Sequence, residues 1–218
     1  MQYTKKYTYK EEMANAISHL IGALLSIVAL IYLVSSASKT GNMWTLVSTA
    51  IFGSTMIILY FSSTLTHILP PGRTKDFFFN FDRIAIYMLI AGTYTPIALV
   101  ALHGPFGWIM FGIEWGLALT GILLIIFKPG DFDSGVNTFY VISYAVMGWL
   151  VIVAIVPIIK ILPVMGWLWI LIGGMLYSVG ILFYKFGKFR YHHLVWHILV
   201  MTGTLSHFIA IFFYILPN

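Results

Sequence analysis

The chain has 218 residues, of which 60% are hydrophobic and only 9% charged, with a mean hydropathy of +0.93. Soluble domains carry about 25% charged residues, so a water-soluble globular fold is excluded and an all-α integral membrane protein is expected. The net charge of +5 is no nucleic-acid signature, because the basic residues are scattered through short inter-helix loops. Cysteine is absent, which removes disulfides, thiol nucleophiles and thiolate ligands; any transition-metal site must use histidine and carboxylate.

Seven apolar runs of about 20 residues follow one another, punctuated by charges, Gly or Pro. They place spans near Ala14–Ser36, Met43–His67, Phe81–Ala101, Phe106–Phe127, Val136–Val156, Val164–Tyr184 and His193–Ile215. The first run is a full span in length, longer than the apolar stretch of a signal peptide, and is expected to remain as the first helix. Connecting loops are short, so residues 1–218 are expected to form a single seven-helix bundle. Ten of the 12 basic residues fall on the N-terminal side: Lys5, Lys6, Lys10, Arg73, Lys75, Arg83, Lys128, Lys185, Lys188 and Arg190. Only Lys39 and Lys160 fall on the other. That bias places the N-terminus in the cytoplasm and the C-terminus outside. Trp44, Trp108, Trp167 and Trp169 suit the outer interface. Gly92, Gly116, Gly121, Gly173, Gly174 and Gly203 are expected to let helices approach closely. Pro96 is expected to kink the third span.

Polar residues inside spans are costly and mark function more often than packing. Here they gather at one depth. Glu12, Asn15 and His19 form one stripe at the start of the first span; Ser63 and His67 are four apart at the end of the second. Asp82 opens the third, and His193 and His197, four apart on one helix face, open the seventh. The alternating direction of the spans brings all of these to the same end of the bundle.

Three imidazoles with a carboxylate or water are the ligand set of a catalytic Zn²⁺ site with one open position. His67, His193 and His197 are the candidate ligands. Asp82 either ligates directly or holds the metal-bound water and serves as general base. Ser63 either hydrogen-bonds that water or a substrate oxyanion, or is a packing hydroxyl. Zinc is preferred over magnesium or calcium because the donors are mainly nitrogen. Glu12, Asn15, His19 and His207 are candidates for supporting the ligands from behind; Asn15 and His19 could equally close the first span on the seventh. His207, nearly three turns beyond His197, is too far along the axis to ligate and better suits a hydrogen bond within the bundle. His192 points about 100° away from His193, His103 sits in an outer loop, and Glu114 is the one carboxylate deep in a span, far from the cluster.

Four pieces of this pattern, in order, resemble the hemolysin III family, the bacterial branch of the progestin and adipoQ receptor superfamily. They are E-x-x-N-x-x-x-H-x-x-G at Glu12, Asn15, His19 and Gly22; S-x-x-x-H at Ser63 and His67; the Asp82 segment running on to AGTYTP; and H-x-x-x-H at His193 and His197, followed by His207. The resemblance spans essentially the whole chain. It implies a seven-helix bundle with a cytoplasmic N-terminus in the bacterial plasma membrane. It also implies a zinc ion on His67, His193 and His197, with Asp82 acting through water. The wider superfamily includes alkaline ceramidases, which implies lipid amide chemistry; the bacterial branch is named for hemolytic, pore-forming activity and has been tied to membrane-lipid homeostasis.

Three functions follow from these features. The first is a zinc-dependent, ceramidase-like hydrolase acting on a lipid amide or ester, or a related lipid-homeostasis factor. The second is a sensor in which zinc is structural, for which the short tails leave little signalling surface. The third is a pore-forming cytolysin, against which stands a chain hydrophobic throughout and expected to stay in the membrane that made it. Membrane lipids are the expected partners, and nucleic acid is not.

Overall fold

The computed structural model describes residues 7–127 and 135–217, so Lys5, Lys6 and Lys128 lie outside the described residues. Among the described residues the chain is helical without strands, and seven helices are long and apolar enough to cross a membrane. They are α1 (Tyr9–Ser38), α2 (Met43–Ile68), α3 (Arg73–Leu102), α4 (Gly104–Phe127), α5 (Thr138–Ile161), α6 (Val164–Phe186) and α7 (His192–Ile215).

Several helices begin before their apolar runs do. Thr8 caps α1: its hydroxyl accepts from the Glu11 backbone N–H while the Glu11 carboxylate accepts from the Thr8 N–H at 3.0 Å. This reciprocal box carries the helix into the charged segment and makes Glu11, Glu12 and Asn15 helical. At 30 residues, α1 is about 45 Å long against a hydrocarbon core of about 30 Å, so its first turns reach beyond the apolar layer. The third helix likewise starts at Arg73, eight residues before Phe81. Lys75 is therefore not a loop charge. Like Arg83, which lies within the expected third span, it is buried on a helix, at 3% exposed against 7% for Arg83.

Irregularities within the helices fall in the half of the bundle away from the α1 start. Pro96 lacks an N–H, and the α3 turns after it close as a π-helix over Ile97–Leu102. The expected kink thus takes the form of a widened turn. The fifth helix breaks into a 3₁₀ segment at Leu150–Ala154. There the Tyr94 hydroxyl accepts from the Val151 N–H at 2.6 Å and donates to the Gly148 carbonyl at 2.9 Å, replacing intrahelical partners.

Along the bundle α1 packs on α2, α2 on α3, α6 on α7, and α7 closes against α1. Close approach at Gly107 is severe, since a Cβ there would lie 2.1 Å from the Ala98 carbonyl oxygen. Gly116, by contrast, faces open space, so its expected packing role is absent. Between α2, α3, α5, α6 and α7 the packing leaves a cavity of about 150 Å³.

Candidate metal centre

His67 occupies the last turn of α2, and His193 and His197 the first turns of α7. Their burial is nearly complete, at 7%, 7% and 1% exposed. One ring nitrogen from each lies within 4.8 Å of the others, a group that could hold a metal ion. The ring centroids are 4.6 Å (His193–His197), 5.0 Å (His67–His197) and 5.2 Å (His67–His193) apart. Tetrahedral coordination at ~2.0–2.1 Å needs nitrogens about 3.4 Å apart, within reach of small side-chain rotations.

The donor set fits a metal. Glu12 Oε2 lies 2.6 Å from His67 Nδ1, so the imidazole donates through Nδ1 and keeps Nε2 as a lone-pair donor. His197 Nδ1 faces the Asn15 carbonyl at 3.3 Å and the Ser18 hydroxyl at 3.1 Å, which leaves Nε2 in the same way. Imidazoles that ligate metals are held by such bonds on the opposite nitrogen. The His193 ring stacks on Tyr7 at 5.0 Å and meets Tyr184 at 5.8 Å.

Asp82 and Ser63 line the same cavity as the three histidines. From this polar end the cavity runs between apolar walls, past Ile86, Leu89, Ile181 and Val200, to His207 at its far end.

The supporting residues separate into distinct roles. Glu12 touches a candidate ligand directly and is itself approached by Lys75 Nζ at 3.5 Å. Asn15 contributes through its backbone carbonyl, while its side-chain amide has no hydrogen-bond partner among the described residues. His19 stacks face to face on His197, with centroids 3.5 Å apart and planes 11° apart, and packs its ring against Tyr60. Neither of its ring nitrogens has a hydrogen-bond partner among the described residues. His207 is not brought to the cluster; its Nε2–H donates to the Ile170 carbonyl at 3.1 Å. His192 turns its Nδ1 to the Phe183 carbonyl, and His103 its Nδ1 to the Leu99 carbonyl. Glu114 is fully buried on α4 and lies outside the cavity lining.

Three contributors escaped the sequence reasoning. Ser18 reaches His197 from the polar face of α1; its place three residues after Asn15 and beside His19 was the available signal. Glu11 Oε1 accepts from the backbone N–H of Tyr191, the left-handed residue (φ 64°) that starts α7. Lys75 joins Glu12 because α3 begins early. The first turn of α1 thus grips the end of α2 through Glu12 and the start of α7 through Glu11.

Comparison with known proteins agrees with this architecture. The family model described as "Haemolysin-III related" matches residues 7–208. The chain is 46% identical to the "Hemolysin-3 homolog" of Bacillus subtilis (strain 168) over 208 residues, covering 95% of this chain and 96% of the relative. It is 44% identical to "Hemolysin-3" of Bacillus cereus, covering 96% and 94%. More distantly, it is 26% identical to the human "Monocyte to macrophage differentiation factor" over 96% of this chain and 87% of that protein. With seven membrane-crossing helices, a match along nearly its full length and two close bacterial relatives, the chain belongs to the hemolysin III family of multi-pass membrane proteins.

Proposed function

We propose that the protein is a zinc-dependent hydrolase of lipid amides or esters, and through that activity a membrane-lipid homeostasis factor. In this reading it is a single seven-helix domain in the bacterial plasma membrane, with its N-terminus cytoplasmic, as the ten-to-two bias of basic residues favours. One observation carries the proposal: three buried imidazoles open on an apolar cavity whose wall also presents Asp82 and Ser63. Nitrogen donors favour zinc over the hard cations. A zinc ion held there would polarise a carbonyl and lower the pKa of water towards ~7, the two properties that amide or ester hydrolysis needs.

The chain's own residues divide the remaining work. His67 and His197 are kept in the ligating tautomer by Glu12 and by the Asn15 carbonyl. Asp82 takes a proton from the attacking water on its carboxylate and returns it to the leaving amine or alkoxide. Ser63, in the same wall, offers its hydroxyl to the attacking water or to a substrate oxyanion. The apolar length of the cavity receives the acyl chain and keeps bulk water from the reacting carbonyl.

A comparison of membrane lipids from cells making the wild-type protein, His197→Ala and Asp82→Asn tests this. A lipid product made by the wild type should vanish in both variants, while Asp82→Asn retains its metal. The names of the Bacillus relatives favour a second reading, membrane lysis. An unchanged lipidome together with lysis that survives His197→Ala would replace the hydrolase by that reading.

A further inference from the structure

The far end of the cavity, away from the three histidines, is not wholly apolar. Next to it lies a smaller chamber of about 20 Å³, room for about one water-sized group. Thr93, Tyr94, Gly148, Trp149, Gly174 and His207 line both spaces, so the two adjoin. The chamber forms where two helices lose regular α geometry: Ile97 opens the widened turns of α3, and Val151 lies in the 3₁₀ break of α5. Irregular backbone at membrane depth is tolerated where it lines a buried cavity, and broken helices build the substrate sites of many transporters.

Four side chains lining the chamber can donate a hydrogen bond, and each donor is spent. The Thr93 hydroxyl donates to the Leu89 carbonyl and the Tyr94 hydroxyl to the Gly148 carbonyl. The Trp149 indole N–H donates to the Ser178 hydroxyl, and His207 Nε2–H to the Ile170 carbonyl. What remains is an acceptor. His207 Nδ1 is buried and has no hydrogen-bond partner among the described residues. No Asp or Glu among the described residues lines the chamber, so the ring is neutral and Nδ1 carries a lone pair. The seat of the ring is built for it: a Cβ on Gly173 of α6 would lie 2.3 Å from His207 Nε2. Buried polar atoms are nearly always paired, and an acceptor left over beside a ligand cavity points to a donor on the ligand.

We infer that the far end is a hydroxyl subsite: the cavity takes a lipid whose chain carries a hydroxyl, which donates to His207. His197 and His207 are ten residues apart on α7, so the hydroxyl stands about 15 Å from the group at the metal centre. A carboxylate, phosphate or ester oxygen would bring acceptors to a wall with no side-chain donor left, and a methyl end would leave Nδ1 unpaired. The inference deepens the hydrolase reading by naming a feature of the substrate, and it rests on that reading for the bound lipid being a substrate. Its test needs no turnover. Purified protein in an uncharged maltoside detergent is titrated with dodecanol, with the dodecanediol hydroxylated at both ends, and with that diol's monomethyl ether, whose far oxygen accepts but does not donate. Trp149, which lines both spaces, reports binding by fluorescence.

The wild type should bind the diol about tenfold more tightly than the ether, the difference between a paired and an unpaired buried polar group. His207→Leu, which fills the space without a polar atom, should weaken the diol about tenfold relative to dodecanol. Comparing that ratio between proteins cancels the ligands' own partitioning into detergent. His207→Gln, which retains an acceptor oxygen, should keep most of the diol's advantage, and zinc content should be the same in all three proteins. Equal binding of diol and ether by the wild type overturns the inference without any variant. So does a diol preference that survives His207→Leu, which would put the partner of the hydroxyl elsewhere in the cavity. Absence of turnover on any lipid would sink the hydrolase reading and leave these binding results standing.

Discussion

Glu12→Gln is the sharpest perturbation of the candidate metal centre, because it removes a charge and little else. In the wild type Glu12 Oε2 lies 2.6 Å from His67 Nδ1, and both residues are buried, at 8% and 7% exposed. Glutamine retains a carbonyl oxygen that can accept the Nδ1–H, so the tautomer and ring position persist. What disappears is the ionic part of the bond, and charge-assisted bonds are roughly twice as strong as neutral ones. An imidazole relieved of its carboxylate is a weaker metal donor; losses of this kind cost about 10–100-fold in affinity, or about 1.4–2.7 kcal/mol. Competition against a chelator of known affinity measures the change. Glu12→Ala separates the stability effect, since it also removes the carboxylate 3.5 Å from the Lys75 ammonium, 3% exposed, which keeps its bond to the Leu69 carbonyl at 3.2 Å. Loss of that carboxylate should appear as a lower Tm in the metal-free protein. A Glu12→Gln protein that is folded and binds zinc within twofold of the wild type would refute the reasoning, because the short bond would then have no part in holding metal.

Purified wild-type protein should carry about one zinc per chain and lose most of it in His67→Ala or His193→Ala; unchanged metal content in either variant removes the site. Ligand imidazoles must be neutral, so occupancy should be full at neutral pH and fall as pH drops below ~6; retention at pH 4 argues against three histidine ligands. Glu114, fully buried with no hydrogen-bond partner for its carboxyl among the described residues, should tolerate Glu114→Met with Tm unchanged or raised, worth about 1 kcal/mol. A clear fall in Tm would mean that the carboxyl has a bound partner. Gly107→Ala should destabilise by about 1–3 kcal/mol, because its Cβ meets the backbone of α3 and not a movable side chain. Gly116→Ala, facing open space, should stay within about 0.5 kcal/mol, and equal effects at the two sites would contradict the packing described here.

The seven helices were legible in the sequence because each spans an apolar run, and hydrogen bonding confined to one segment is the simplest way to carry backbone through lipid. Their ends were not. Hydropathy discards charged residues from a span, whereas α1 is extended to Tyr9 by the Thr8–Glu11 capping box and α3 begins at Arg73. The consequence reached the site, since Lys75 reads as a loop charge and is buried on a helix. Proximity of His67 to the His193–His197 pair could be deduced from the alternating direction of the spans. The break in α5 could not, because its cause, the Tyr94 hydroxyl, comes from 57 residues earlier in the chain. The Ser18–His197 contact joins residues 179 apart, and no local pattern specifies it.

The three ligand candidates belong to two helices, α2 and α7, yet the contacts that orient them come chiefly from a third. In its first three turns α1 supplies Glu11 to the start of α7, Glu12 to His67, and the Asn15 carbonyl, the Ser18 hydroxyl and the His19 ring to His197. Residues 11, 12, 15, 18 and 19 share one helix face, so a single rigid element can make all five contacts at once. A pair of helices joined only by their own packing could slide by a fraction of a turn, and a shift of 1 Å already spoils a metal site. Fastening both to one face of α1 removes that freedom. It also explains why the capping box matters to chemistry some way from it: without the Thr8–Glu11 box the first turn of α1 frays, and the Glu11 and Glu12 carboxylates lose the positions from which they hold the two walls together.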